Sequence, residues 1–174
     1  MEWRFYMVDL REYYNKLYSE GKEKYWNDYS DSNQTLSGSR QFIIDLVKRK
    51  NLNPSSILDF GCGEGNFLNY FSKKANKIRV GIDFSSVAIE KAKSFYPKIN
   101  FILGSEDKIE GTYDFVTSIG VIEHTDDPAL HFKKLYIATN RKGHLFIVCP
   151  NHCNTRGIIW QTLSLLFDFP IFIG

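Results

Sequence analysis

Two carboxylates and three glycines carry the first legible chemistry. Asp59 is followed by Gly61, Gly63 and Gly65 at alternate positions, and Asp83 closes the next apolar run, Val80-Gly81-Ile82-Asp83. Glycines so spaced let a backbone turn tightly and approach a ligand closely. The acids decide what sort of ligand. A pyrophosphate turn offers bare N–H groups and a positive helix end to an anion; Asp59, and Glu64 inside the loop, oppose that. The spacing disagrees too, because Gly-x-Gly-x-x-Gly would need its third glycine at Asn66. A ligand with a cationic end and no phosphate suits the pattern better.

The elements that must hold these groups follow from the flanking residues. Ile57 to Phe60 is short, apolar and branched, and it follows the breaker Pro54-Ser55-Ser56. That predicts a buried parallel strand. Phe67, Leu68 and Phe71 then recur at helical spacing. Strand, glycine loop and helix make the first unit of a doubly wound sheet, with the ligand at the strand's carboxyl end.

S-adenosylmethionine is a ligand of this kind, with a sulfonium, an ammonium, a ribose and an adenine. Asp59-x-Gly61-x-Gly63-x-Gly65 resembles the first motif of class I S-adenosylmethionine-dependent methyltransferases, and Val80-Gly81-Ile82-Asp83-Phe84-Ser85 resembles their second. The resemblance implies a cofactor seat made of Asp59, Gly61, Cys62, Gly63, Gly65, Asp83 and Phe84, with the Asp83 carboxylate accepting from both ribose hydroxyls. Capping the next helix is the alternative role for Asp83, but Ser85 already fills it. In the family the turn Gly104-Ser105-Glu106-Asp107 usually reads Gly-Asp, and the acid meets the adenine amino group. Ser105 departs from that pattern, so Ser105 or Glu106 is the expected contact. Tyr113-Asp114-Phe115-Val116 resembles the family's fourth strand, which implies that the backbone at Ser118 and Ile119 lies against the methionine half. Arg40 opens a helix whose start resembles the methyltransferases of ubiquinone biosynthesis. There an arginine at the matching place contacts the methionine carboxylate, and a guanidinium fork suits a carboxylate.

Along the chain, Asp9 to Glu20 places Leu10, Tyr13, Tyr14, Leu17 and Tyr18 at helical spacing, with Asp9 as cap and Gly21 as stop. Tyr25, Trp26 and Tyr29 continue the aromatic theme. These rings either pack the helix on the core or roof the cofactor, as an N-terminal helical cap (1–38) does in the family. Ser39 is expected to cap a helix to Lys50 with Phe42, Ile43, Leu46 and Val47 inward. Further helices are expected over Phe67–Lys74, over Ser86–Phe95 with Ala88, Ala92 and Phe95 inward, and from Asp127-Pro128 to about Thr139 with Ala129, Phe132, Leu135 and Tyr136 inward. Strands are expected at Ile78–Ile82, Ile99–Leu103, Tyr113–Ser118 and His144–Cys149, with Arg141-Lys142-Gly143 as the turn into the last. Right-handed crossovers then give an α/β, doubly wound, mainly parallel sheet of order 3-2-1-4-5 over a core at 39–151. The family adds two C-terminal strands, one of them antiparallel, that are not found here, so either a truncated C-terminal part or a last strand supplied otherwise is expected.

The segment 152–174 is apolar, with Asp168 as the one charge from Gly157 onward and Pro170 interrupting it. Buried packing, an interface with another copy, and a membrane surface with Trp160 at the boundary all fit it. Pro150 to Trp160 resembles the quinone-modifying methyltransferases, whose matching segment meets lipid-soluble substrates. Over all 174 residues the chain is 43% hydrophobic, with a net charge of +2. That charge is too small to imply nucleic acid by electrostatics. Three cysteines in no framework spacing and no signal-peptide pattern point to reduced thiols and a cytoplasmic setting, with peripheral membrane contact through 157–174 left open. No Cys/His spacing suggests a metal.

Methyl transfer from a sulfonium is a direct displacement, so the protein supplies position and electrostatics rather than a nucleophile. A hydroxyl acceptor needs a base. His124, after the crevice turn, is the candidate; local hydrogen bonding by Glu123 and His124 is the alternative. The expectation is a methyltransferase acting on a small or lipid-like acceptor, in particular a quinone or phenol hydroxyl. A non-catalytic cofactor-binding partner subunit and a nicotinamide oxidoreductase fit the motifs less well.

Overall fold

The structure is a computed structural model, and it describes residues 9–21, 38–71 and 78–149. The expected tyrosine and tryptophan run at 25–29, the end of the helix beyond Phe71, and the segment 152–174 lie outside the described residues.

Among the described residues, five parallel strands form the sheet: β1 (Ser56–Phe60), β2 (Ile78–Asp83), β3 (Asn100–Leu103), β4 (Tyr113–Ile119) and β5 (Thr139–Val148). Their order is β3-β2-β1-β4-β5, as expected. β1 is the central strand, and all five of its residues are buried. Alternation sends Ile57 to one core and Leu58 and Phe60 to the other. On the first face lie α2 (Gly38–Arg49), α3 (Asn66–Tyr70) and α4 (Ser86–Phe95), packing Ile43, Ile44, Val47, Phe67, Leu68, Ile89 and Ala92 with Phe115. On the second, Leu135 and Ala138, at the end of α5 (Pro128–Ile137), cover Leu58, Val80, Ile82 and Val116. α1 (Leu10–Ser19) lies against α4 at the carboxyl end of the sheet.

Several inward faces differ from expectation by one residue's rotation. α2 buries Ile43, Ile44 and Val47 and leaves Phe42 exposed; α4 buries Ile89 and leaves Phe95 exposed. α5 buries His131 and Leu135, whereas Phe132 and Tyr136 are 50% and 66% exposed and stack on each other. Leu135 belongs to two helical rows, His131–Leu135–Ala138 and Phe132–Leu135–Tyr136, and periodicity alone cannot choose between them. The helix starts match better. Ser85 Oγ accepts from Ala88 N, and Asp127 Oδ1 from Leu130 N ahead of Pro128. Gly38 rather than Ser39 begins α2.

β5 starts earlier than expected, and Arg141-Lys142-Gly143 sits in an irregular stretch of it rather than in a turn. The register moves from Tyr113 opposite Thr139 to Phe115 opposite His144. A Cβ on Gly143 would lie 2.9 Å from the Asp114 carbonyl and 3.0 Å from those of Tyr113 and Asn140. Asp114 organises this corner by accepting from Ser55 N, Ser56 N and Asn140 Nδ2.

Candidate cofactor and active site

The crevice is built where β1, β2 and β4 end. Gly61 and Cys62 both donate backbone N–H to Ile82 O, at 2.8 and 3.1 Å, which pins the glycine loop across the end of β2. Gly61, Gly63 and Gly65 all have left-handed backbones. At Gly63 the requirement is double, because a Cβ there would also lie 2.7 Å from the Tyr18 hydroxyl.

Asp83 is the centre of this arrangement. Its two carboxylate oxygens accept from Gly63 N at 2.8 Å and from Ser85 N at 2.9 Å. One side chain thus fixes both the loop and the start of α4. Burial raises its pKa, against the backbone donors Ser85, Gly63 and Phe84. Asp59 is also buried and accepts from Thr117 Oγ1 at 2.7 Å. Burial pushes its pKa up to about 6, opposed by Thr117 and the Arg40 charge and assisted by Asp83. Against the rise that burial causes, the Arg40 charge lowers the pKa of Asp59, Cys62 and Tyr18 alike. Cys62 is buried, its thiol held up by burial and the nearby acids, so it is no nucleophile.

Glu64 needs a correction. Its place in the loop suggests a charge opposing phosphate, but it pairs with Lys91 at 2.9 Å. Lys91 Nζ also donates to Tyr18 O at 2.6 Å. This lysine therefore clasps the glycine loop, α4 and α1.

Helix α1 supplies groups that sequence reasoning could not single out from a stripe of tyrosines. Asn15 Oδ1 accepts from Ser85 Oγ at 2.7 Å. Tyr14 Oη lies 3.0 Å from His124 Nε2, and its ring stands edge-on to Phe84 and to His124. Burial, then the charges of Tyr13, Glu123 and Asp83, push the Tyr14 hydroxyl up to about 12, so it stays a phenol. His124 belongs to a single 3-10 turn, Ile122–His124, whose neighbour Val121 packs against Gly61. Glu123 Oε2 is buried with no hydrogen-bond partner among the described residues.

The predicted site residues divide into two groups. Asp59, Gly61, Cys62, Gly63, Gly65, Asp83 and Phe84 gather around the loop; His124 meets Tyr14, whose ring also stands against Phe84, and the Arg40 charge acts on Asp59. The Ser118 and Glu106 side chains turn instead to His131: Ser118 Oγ is 3.1 Å from Nε2, and Glu106 Oε1 is 2.5 Å from Nδ1. Ile119 packs its side chain against the α2–α3 core, so it can offer the crevice only backbone. Ser105 is exposed and donates to Asp107 Oδ1 at 2.8 Å. The adjoining Gly104 N–H donates to Asp83 O, which sets this turn beside the crevice.

Among solved structures, the plantazolicin methyltransferase BpumL, in complex with a desmethylplantazolicin analogue and S-adenosylhomocysteine, superposes with a TM-score of 0.62 at 21% identity, over 89% of this chain and 58% of that one. Among curated proteins, pavine N-methyltransferase of Thalictrum flavum subsp. glaucum is 27% identical over 136 residues, 72% of this chain and 38% of its own length. Ubiquinone biosynthesis O-methyltransferase of Hydrogenovibrio crunogenus is 28% identical over 113 residues, 60% of this chain and 46% of its own. The chain thus spans less than half the length of either curated relative. The buried acids, the left-handed glycine loop and the 3-2-1-4-5 sheet lie almost wholly within residues 34–165, the stretch that matches the methyltransferase domain family, and the chain belongs to that family.

Proposed function

We propose that this chain is the cofactor-binding core of an S-adenosylmethionine-dependent methyltransferase. The observation that carries the reading is the pair of buried carboxylates, Asp59 and Asp83, at neighbouring strand ends beside a left-handed glycine loop. Two acids pushed up by burial favour a cationic ligand over an anionic one. The loop glycines leave room for a nucleoside to approach backbone closely. In this reading Asp83 keeps its backbone donors and offers its remaining lone pairs to the ribose hydroxyls. Phe84 and the turn at Ser105 and Glu106 border the adenine. Arg40 pairs with the methionine carboxylate, and the main chain at Ser118 and Ile119 meets the amino-acid end.

When bound, S-adenosylmethionine supplies an electrophilic methyl group on sulfur. The chain's own residues position it and manage the acceptor's proton. His124, held by Tyr14, takes that proton at the ring nitrogen left free by the tyrosine. The acceptor is a small or lipid-like molecule, and a phenol or quinol hydroxyl is the first candidate. A second reading, an amine acceptor, is favoured by the buried unpartnered oxygen of Glu123, which suits an ammonium beside the crevice. The likeness to both an N- and an O-methyltransferase is compatible with either.

Calorimetric titration with S-adenosylmethionine, S-adenosylhomocysteine and NAD tests the cofactor. Binding of the first two and not the third is expected, and silence with both methionine derivatives refutes the reading. Labelled methyl transfer across quinols, phenols and amines then identifies the acceptor.

A further inference from the structure

Ser118, His131 and Glu106 form a contiguous chain of side chains drawn from three elements. His131 projects from α5 onto the second face of the sheet, fully buried, with its ring edge-on to Phe60 at 5.0 Å. One ring nitrogen meets Ser118 at the carboxyl end of β4 and the other meets Glu106 in the 3-10 turn Glu106–Lys108 that follows β3. A carboxylate only accepts, so Nδ1 carries the proton toward Glu106. In the neutral ring Nε2 then accepts from the Ser118 hydroxyl. The trio has the order of a nucleophile, base and acid set, but Ser118 is wholly buried in the sheet, which excludes attack on a substrate.

Its placement gives it another use. Among the described residues β3 is an edge strand of four residues, bonded only to β2. The turn after it borders Asp83 through the Gly104 N–H. Ile109, just after the turn, packs on the second core; among the described residues, the polar ties of the turn itself to the rest of the fold are that main-chain bond and the Glu106–His131 contact. The contact is charge-assisted and protected: Glu106 is partly exposed, while the histidine has no exposed surface. The histidine in turn is held by Ser118 at the centre of the sheet.

We propose that Glu106, His131 and Ser118 form a positioning relay that holds the turn after β3 in its cofactor-binding geometry and so sets the affinity for the nucleoside half of S-adenosylmethionine. The proposal rests on the cofactor reading above. His131 is a positioning residue, because it reaches the ligand only through Glu106. It also explains why two expected contact residues present their side chains to the sheet rather than to the crevice.

Wild type, His131→Leu and His131→Asn are titrated with S-adenosylhomocysteine and with 5′-methylthioadenosine, which keeps the nucleoside and lacks the amino acid. His131→Leu weakens both ligands by the same factor, about tenfold, the scale of one charge-assisted hydrogen bond. His131→Asn, whose amide N–H takes the place of Nδ1, recovers most of that loss. Weakened S-adenosylhomocysteine with unchanged methylthioadenosine overturns the proposal, as does equal binding by all three proteins. Should circular dichroism show His131→Leu unfolded, His131→Gln replaces it. Its amide stands near Nε2 and releases Glu106, so it must show the same paired loss, and normal binding by it overturns the relay. A wild type that binds neither ligand refutes the cofactor reading itself; a wild type that binds both while the variants match it refutes the relay alone.

Discussion

Asp59→Asn isolates the electrostatics of the crevice. Asp59 is buried, and burial moves its pKa from 3.8 to about 6 in spite of Thr117 and Arg40. The folded chain therefore holds this proton more tightly than the unfolded chain. Stability from this group is greatest below about pH 4, falls as pH rises through about 6, and above that the full cost is present. A shift of about two units corresponds to roughly 3 kcal/mol at neutral pH. Asp59→Asn retains an oxygen for the Thr117 hydroxyl and carries no charge, so it escapes that cost.

Urea unfolding of both proteins near pH 4 and near pH 7.5 measures the effect. The variant's advantage over wild type should grow by about 2 kcal/mol between the two conditions. Asp83 titrates in the same direction in both proteins, so their difference removes its own burial and keeps its repulsion with Asp59. The same variant should bind S-adenosylmethionine about tenfold more weakly, the ordinary exchange of stability for function at a buried charged site. A variant less stable than wild type by the same amount at both pH values, or one that binds the cofactor normally, would show that the charge at this strand end does not serve the ligand.

Three further outcomes follow from other parts of the crevice and sheet. Asp83→Asn turns an amide N–H₂ toward Gly63 N or Ser85 N; it should cost about 1–3 kcal/mol in unfolding and lower S-adenosylhomocysteine affinity about 100-fold by calorimetry, and a smaller loss than tenfold would remove Asp83 from the ribose. Tyr14→Phe should lower kcat about tenfold with the KM for cofactor unchanged and should shift the pH–rate profile of a hydroxyl acceptor, since it frees a nitrogen of His124; an unchanged profile would leave Tyr14 a packing residue. Gly143→Ala forces a Cβ against three carbonyls and should destabilise by about 1–3 kcal/mol, visible as a lower melting temperature without any change in cofactor affinity.

The cofactor side of this protein was legible because its parts are neighbours in the chain. Ile57 to Phe71 contains the strand, the loop and the helix that follows it, and Asp83 closes the adjacent strand, so short motifs carry nearly the whole geometry. The sheet order follows from strands and helices in alternation with one handedness of crossover. Helix faces were less legible. On α4 and α5 an aromatic ring and a smaller residue compete for the same inward row. The ring stays out and the smaller residue goes in: Phe95 and Tyr136 are exposed, and Ala92 and Ala138 are buried. The extended β5 was missed because its irregular start depends on a contact with Asp114, which no local pattern encodes.

The groups proposed to take the acceptor's proton and to hold the nucleoside half of the cofactor are of that second kind. Tyr14 meets His124, and Glu106 meets His131, each across a long stretch of chain and between separate elements. A sequence pattern records which residue types are present, but a pair of this sort exists only once the sheet has brought its strand ends into one row. Lys91 shows how far such a pair can change a reading. Until α1 and α4 are packed together, Glu64 counts as a repelling charge in the loop. Afterwards it is the neutralised end of a clasp, and the buried acids beside the loop are Asp59 and Asp83. Those acids are expensive to fold around, as the raised pKa of each attests. A ligand that brings its own positive charge lowers that cost, so the same interaction that binds the cofactor should also tighten the fold.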